Sequence, residues 1–246
     1  MPASEHSMRL LGNPKQGVLR ESLGRMLGVA NRLRGRYRYD ACRLEQVRGT
    51  PLLMLPSVFN PRVLRTGEFF AGVIADRRLG ADGEVLDMGT GSGVCAVFAA
   101  RHARRVVAVD INRAAVRCAR INAALNDLEG RIECRHGDLF APLGESRFDA
   151  VFFNPPFILG PPASERDCAW RSTDVAARFA TGLRRHLTAN GRAYLLLSTF
   201  GDACGTFVDE LRSREFDLSV LAVRRYINER VTVVEARCAS RAASAP

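Results

Sequence analysis

The chain has 246 residues, 47% hydrophobic and 25% charged, which fits one sizeable α/β domain that buries a real core and excludes a low-complexity or disordered class. Its longest apolar run, 94–100, ends at Arg101 and is too short to span a bilayer. The net charge of +10 is almost all arginine, since Lys15 is the single lysine, and it is concentrated at the start: residues 1–48 hold ten basic side chains against four acids.

A short helix is expected over 18–29, weakened by glycines at 12, 17, 24 and 28. Arg32, Arg34, Arg36 and Arg38 then alternate with Tyr37 and Tyr39 among them, and an extended segment would put the four guanidiniums on one face, fit for phosphates. Contact with nucleic acid or an acidic partner and a merely solvated basic face both fit this pattern. Two strands, 41–47 and 52–55, are joined by Arg48-Gly49-Thr50-Pro51 with hairpin chemistry. Val58-Phe59-Asn60-Pro61 reads as a loop, and a helix over 66–78 carries Phe69, Val73 and Ile74 at helical spacing.

From residue 84 strands and helices alternate. The strand 84–88 leads through a glycine loop into a helix over 94–102. The strand 105–110 leads into a helix over 113–126 with Asn112 as its N-cap. Strands over 131–135 and 149–153 follow. A helix over 173–187 carries Val175, Phe179, Leu183 and Leu187 on one stripe and stops near Asn190-Gly191. A strand over 192–198, a helix over 203–215 and strands over 218–223 and 231–236 complete the series. The alternation predicts a Rossmann-like, mostly parallel sheet covered on both faces. The loop containing Tyr226-Ile227-Asn228 is too short for a crossover, so the last strand should be antiparallel. Residues 1–56 are read as a basic extension with a short helix and a hairpin, 57–238 as the α/β domain, and 239–246 as a frayed tail.

Seven scattered cysteines form no C-x-x-C pair, and neither they nor the four histidines show metal-ligand spacing, so no metal is expected. Free thiols and the lack of a basic-then-apolar secretory start predict a cytoplasmic protein without a membrane partner.

Chemistry concentrates at the strand ends. In Val85-Leu86-Asp87-Met88-Gly89-Thr90-Gly91-Ser92-Gly93 the glycines let a ligand approach the backbone at a helix N-terminus. The spacing differs from the dinucleotide G-x-G-x-x-G, and Asp87 would repel a pyrophosphate but welcome an ammonium. Asp110 ends the next strand, where a carboxylate can hold ribose hydroxyls. Asp138 follows the third, where it can accept from an adenine amine with Leu139 packed beside it. An amino acid joined to adenosine satisfies all three carboxylates, which points to S-adenosylmethionine. Asn154-Pro155-Pro156-Phe157 closes the run 149–153. Its amide and main-chain carbonyls can hold the two hydrogens of a planar amine while Phe157 covers its face, although by itself the tetrapeptide is equally a proline-rich turn. Trp170 could stack on a base but fits a packing anchor better, and stays outside the expected site.

Together, residues 85–93, Asp110, Asp138 and Asn154-Pro155-Pro156-Phe157 resemble the class I S-adenosylmethionine methyltransferases that carry an N-P-P-[YF] motif. These include the HemK-like protein-glutamine methyltransferases and the small-domain ribosomal RNA guanine-N2 methyltransferases. The resemblance covers roughly residues 56–237. It implies S-adenosylmethionine at Asp87, Gly89, Thr90, Gly91, Gly93, Asp110, Ile111, Asp138, Leu139 and Asn154, and catalysis at Asn154, Pro155 and Phe157, with Pro156 in the substrate set. Val58-Phe59-Asn60 with Leu64 and Gly67 is similar to the RNA enzymes. Pro61-Arg62 and Thr66 are similar to the protein-glutamine enzymes, as is NPPFILGPP apart from Phe157 in place of tyrosine. The glycine-rich segment of the HemK-like proteins is here Ala169-Trp170-Arg171-Ser172-Thr173-Asp174, and the basic start does not resemble a release-factor-binding domain. The expected activity is N-methylation of an RNA base amine or a glutamine amide, with the basic N-terminal segment as the route to an RNA or protein substrate. A small-molecule methyltransferase is the alternative, and a non-enzymatic binding module the remaining one.

Overall fold

A computed structural model describes residues 41–61, 65–163, 167–227 and 229–239. The expected helix over 18–29, the alternating arginines and all of the tail beyond Ala239 lie outside the described residues.

The chain enters through a hairpin of β1 (Arg43–Val47) and β2 (Thr50–Met54), paired antiparallel with Val47 opposite Thr50. Its two-residue turn, Arg48-Gly49, has φ of 49° and 79°, the doubly positive geometry that suits the twist of a tight hairpin. Next come α1 (Thr66–Arg77), β3 (Glu84–Met88), α2 (Val94–Ala100), β4 (Arg105–Asp110), α3 (Arg113–Leu125) and β5 (Ile132–His136). Asn112 caps α3 as its spacing predicted, accepting from Ala114 N at 2.8 Å. The second half holds β6 (Phe148–Phe153), the short strands β7 (Ile158–Leu159) and β8 (Arg171–Ser172), α4 (Val175–Leu183), β9 (Leu187–Ser198), α5 (Ala203–Ser213), β10 (Phe216–Arg225) and β11 (Arg230–Cys238).

Seven strands form one sheet in the order β10-β11-β9-β6-β3-β4-β5, in which β11 runs antiparallel to both neighbours and the other pairings are parallel. This is the expected mostly parallel sheet with an antiparallel last strand. Its central strands are apolar at nearly every position because both faces are covered. On β6, Ala150 and Phe152 join the core under α1 and α2, while Val151 and Phe153 join the core under α4 and α5. No helix of the described residues is long and apolar enough to cross a membrane.

The hairpin is stitched to this body. Val47, Leu52 and Met54 are buried in the first core. Asn122 of α3, fully buried, accepts from Leu53 N at 2.6 Å and donates to Leu53 O and Ser92 O at 2.8 Å each, which ties the hairpin to the glycine loop. Arg48 reaches Gly72 O at 3.0 Å and Asp76 Oδ1 at 2.7 Å on α1.

One expected element is corrected. The helix predicted over 173–187 ends at Leu183, a single 3-10 turn (Arg184–His186) follows, and Leu187 already begins β9. Asn190-Gly191 therefore lies inside a strand rather than at a helix end. The β6–β9 pairing shifts register between Phe148 and Ala150, so the extra residues of β9 bulge where the periodicity suggested continuing helix.

Candidate functional site

The sheet reverses direction of build at β3, which is flanked by β4 on one side and β6 on the other. Ligands of open α/β sheets lie outside the carboxyl ends of the strands at such a switch point. In the β3–β6 register Met88 faces Phe153, so the glycine loop and Asn154 leave the sheet side by side; in the β3–β4 register Met88 faces Val109, which brings Asp110 to the other flank.

Gly89, Gly91 and Gly93 have φ of 61°, 56° and 80°, a path that side chains rarely follow. A Cβ on Gly93 would lie 2.9 Å from Ala119 Cα, so this glycine also lets α2 start hard against α3. The loop is held from below. Thr90 N donates to Val109 O at 3.0 Å, and Gly91 N to Asp110 Oδ2 at 2.8 Å.

Two carboxylates sit under the loop. Asp87 is buried, and its Oδ2 accepts from Thr90 Oγ1 at 2.6 Å and Ala96 N at 3.0 Å. Burial pushes its carboxyl up to about 7 against these two hydrogen bonds, and repulsion from Asp110 adds to the rise. Asp110 accepts from Asn112 N at 2.8 Å on Oδ1, and burial raises its carboxyl as well. Among the described residues neither carboxylate has an ion-pair partner. Two desolvated carboxylates with no ion-pair partner among the described residues are suited to an ammonium and to hydroxyl donors, which is what the amino-acid and ribose ends of S-adenosylmethionine carry. Beside them Ile111 is 47% exposed, and its carbonyl is held by His136 Nε2 at 2.9 Å.

At the end of β6, Asn154 Oδ1 is buried and accepts no hydrogen bond. Unpaired buried acceptors are rare and costly, so this one marks a place where a donor from outside the chain belongs. Pro155 is buried behind it. Phe157 is 7% exposed, and its carbonyl is fixed by Ala203 N at 3.1 Å. The ring is therefore packed into the fold beside Asn154 rather than standing as an open platform. One other buried side-chain atom lacks a partner among the described residues, Thr66 Oγ1 at the start of α1. It is close to the start of α2, since a Cβ on the adjacent Gly67 would lie 3.6 Å from Val94 Cγ1.

The family described as "Methyltransferase small domain" matches residues 50–213, and so takes in the hairpin's second strand, the glycine loop and the Asn154 turn. The chain belongs to the methyltransferase small domain family. It is 33% identical over 172 residues to the ribosomal protein uL3 glutamine methyltransferase of Bradyrhizobium diazoefficiens, covering 59% of this chain and 52% of that protein. It is 35% identical over 142 residues to the ribosomal RNA small subunit methyltransferase C of Alcanivorax borkumensis, covering 57% and 40%. The chain thus spans about half the length, or less, of these curated relatives. Among solved structures, the 16S rRNA methyltransferase RsmC of T. thermophilus, in complex with AdoMet and guanosine, superposes with a TM-score of 0.60 at 23% identity over 80% of this chain and 50% of that one, a likeness of fold.

Within this small-domain fold, two sequence-predicted residues stand differently from the rest. Asp138, expected to face an adenine amine, has its Oδ2 held by Arg178 of α4 at 2.6 Å, and Arg178 also reaches Asp174 at 3.0 Å. Leu139 follows it with φ of 48°, partly buried against the second core.

Three residues outside the expected set also pack around this candidate site. Trp170 packs on Phe59 (centroids 5.4 Å) and stands edge-on to Phe157 (6.4 Å), and the Phe59 Cβ lies 4.0 Å from where a Cβ on Gly91 would be. The single tryptophan and the Val58-Phe59-Asn60 segment were the signals in the sequence, and neither says which rings meet. The third is Gly201. A Cβ there would lie 1.9 Å from Phe157 O, so the loop after β9 presses its backbone directly on the Asn154 turn. Gly201→Ala is expected to push that turn outward and lower stability by about 1–3 kcal/mol, read from urea denaturation; a variant as stable as the parent would show that the two loops move apart freely.

Proposed function

We propose that this chain is an S-adenosylmethionine-dependent N-methyltransferase acting on a planar NH2 group, in an RNA base or a glutamine side chain. The observation that carries the reading is the buried, unpartnered Asn154 Oδ1 beside a glycine loop with two buried carboxylates that form no ion pair among the described residues. S-adenosylmethionine supplies an electrophilic methyl group on a sulfonium.

Asp87 and the backbone of Gly89, Thr90, Gly91 and Gly93 would hold its amino-acid end, Asp110 with Ile111 its ribose, and Asp138 with Leu139 its adenine, Asp138 then sharing its carboxylate with Arg178. On the acceptor side, Asn154 Oδ1 and the Pro155 carbonyl accept from the two N–H groups of the substrate. Such a nitrogen is a weak nucleophile because its lone pair is delocalised into a ring or carbonyl. Two acceptors below its plane favour a pyramidal nitrogen, and they offset the positive charge that develops as the new N–C bond forms. Pro155-Pro156 keep both acceptors in place, and the Phe157 wall fixes the plane so that the lone pair points along the line of attack. The nitrogen is strongly acidic once methylated and loses its proton to water, so no strong base is needed. The described cysteines are all free thiols, which supports a reducing, cytoplasmic setting, with the basic N-terminal segment helping to bring in RNA or protein.

Incubation with methyl-labelled S-adenosylmethionine and separated ribosomal RNA and ribosomal protein tests the reading: label should enter an exocyclic base nitrogen or a glutamine amide. Label recovered only in small molecules, or on carbon, would overturn it. In parallel, Asp110→Ala should weaken cofactor binding by about 10–100-fold in calorimetry, the loss of hydrogen bonds to a charged group; an unchanged dissociation constant removes Asp110 from the ribose role.

A further inference from the structure

The carboxyl rim of the sheet extends past the Asn154 turn to the edge strand. β10 and β9 are both antiparallel to β11, so β10 runs with the parallel strands and its last residues, Arg224 and Arg225, emerge on the same rim as Asn154. Arg225 pairs with Arg230, and Thr199 N donates to Arg230 O at 3.0 Å, which fastens the β10–β11 turn to the end of β9. Tyr226 hydroxyl reaches Arg65 O at 3.3 Å, joining the turn to the start of α1 next to the glycine loop. Arg65, Glu68, Arg224 and Tyr226 line a surface cavity of about 370 Å³. The Arg224 guanidinium lies 4.8 Å above the Phe69 ring.

Among the described residues Arg65, Arg224, Arg225 and Arg230 form no ion pair, whereas Arg48, Arg104, Arg178, Arg192 and Arg214 each do. The acids nearby are Glu68 and Glu229, and Glu229 is half-buried and accepts from Ser198 Oγ at 2.6 Å. Two apolar side chains stand out of the same rim, Ile227 at 94% and Phe200 at 60% exposure. Uncompensated planar guanidiniums beside exposed apolar groups match a phosphate backbone whose bases can rest on the apolar tips.

We propose that this rim, formed by Arg65, Arg224, Arg225 and Arg230 with Phe200 and Ile227 beside them, is a docking surface for RNA that leads a base toward Asn154. The direction of that path rests on the methyl-transfer reading; the docking itself does not. An acidic protein segment would meet the same charges but would make little use of the exposed Phe200 ring, on which a base can stack.

Fluorescence anisotropy with a labelled RNA hairpin, the full chain and a series of KCl concentrations tests this without cofactor. Arg224→Ala/Arg225→Ala should bind more weakly, with a plot of log affinity against log salt shallower by roughly 1.4–1.8, while Arg212→Ala, in the last turn of α5 where β10 begins and so at the opposite rim of the sheet, keeps the parent slope. Arg225 makes no side-chain bond among the described residues, so Arg225→Ala alone guards against a folding defect and should flatten the slope by roughly 0.7–0.9. Equal slopes for all variants overturn the proposal, as does tighter binding of polyglutamate than of RNA. Failure here leaves labelled methyl transfer untouched, and loss of methyl transfer with the expected slopes leaves the docking surface standing.

Discussion

Asn154→Ala is expected to lower methyl transfer by about 10²–10³-fold, the cost of removing one preorganised group facing developing charge, and to leave cofactor affinity within about twofold. It is also expected to make the substrate-free protein slightly more stable. Asn154 Oδ1 is buried without a donor, so the folded chain carries a desolvation cost of about 1–3 kcal/mol that water met in the unfolded chain. Alanine removes that cost, partly offset by the small gap left behind. A residue retained for packing would show the opposite pair of results, a loss of stability with activity lost only in proportion to the unfolded fraction. Three measurements on one variant separate the cases: a thermal melt, a calorimetric titration with cofactor, and labelled methyl transfer. If Asn154→Ala melts well below the parent, or loses cofactor binding as completely as turnover, the amine-clamp role fails. Residues that store a local cost for function often behave this way, and stabilising changes at such positions tend to cost activity.

How far the site could be read from sequence depended on distance along the chain. The glycine loop, Asp110 and Asn154 are each placed by their own strand, and a parallel sheet brings successive strand ends to one rim, so local patterns were enough to gather them. Asn112 caps α3 through a contact two residues away. By contrast, the Asp138–Arg178 pair spans 40 positions and gives no local sign. The same holds for the meeting of Phe59, Trp170 and Phe157, and for the pressure of Gly201 on Phe157. The end of α4 differs from the expected one for a related reason. Leu187 continues the apolar stripe of the helix, but the chain leaves the helix because His186 is drawn into the core, its ring stacked 4.7 Å from Phe140 and its Nδ1 held by Ser146 O at 2.8 Å. Both partners are distant in sequence. An apolar residue just past a helix reads as one more turn when it falls on the helix's own apolar stripe.

Asp87→Asn is expected to stabilise the cofactor-free protein at and above neutral pH by up to roughly 4 kcal/mol, and to weaken cofactor binding there. Burial, with repulsion from Asp110, raises the Asp87 carboxyl from 3.8 to about 7. Between those values the folded chain keeps a proton that the unfolded chain has released. The stabilisation from that retained proton is complete below about pH 4, and is lost as pH rises through about 7. Asp110 shifts in the same direction and adds to the slope, so the substitution should reduce the pH dependence rather than erase it. Asparagine keeps an oxygen for Thr90 and Ala96 but has no charge to bury, and it offers an ammonium far less. In the parent, a cation arriving beside Asp87 favours the ionised form, so binding should release a proton and tighten as pH rises toward 7. Thermal melts across this range, with calorimetry in two buffers of different ionisation enthalpy, measure both halves. A parent whose stability does not fall from acid to neutral pH would show that Asp87 is ionised without help. Proton release that is the same in Asp87→Asn would assign the ammonium to another group.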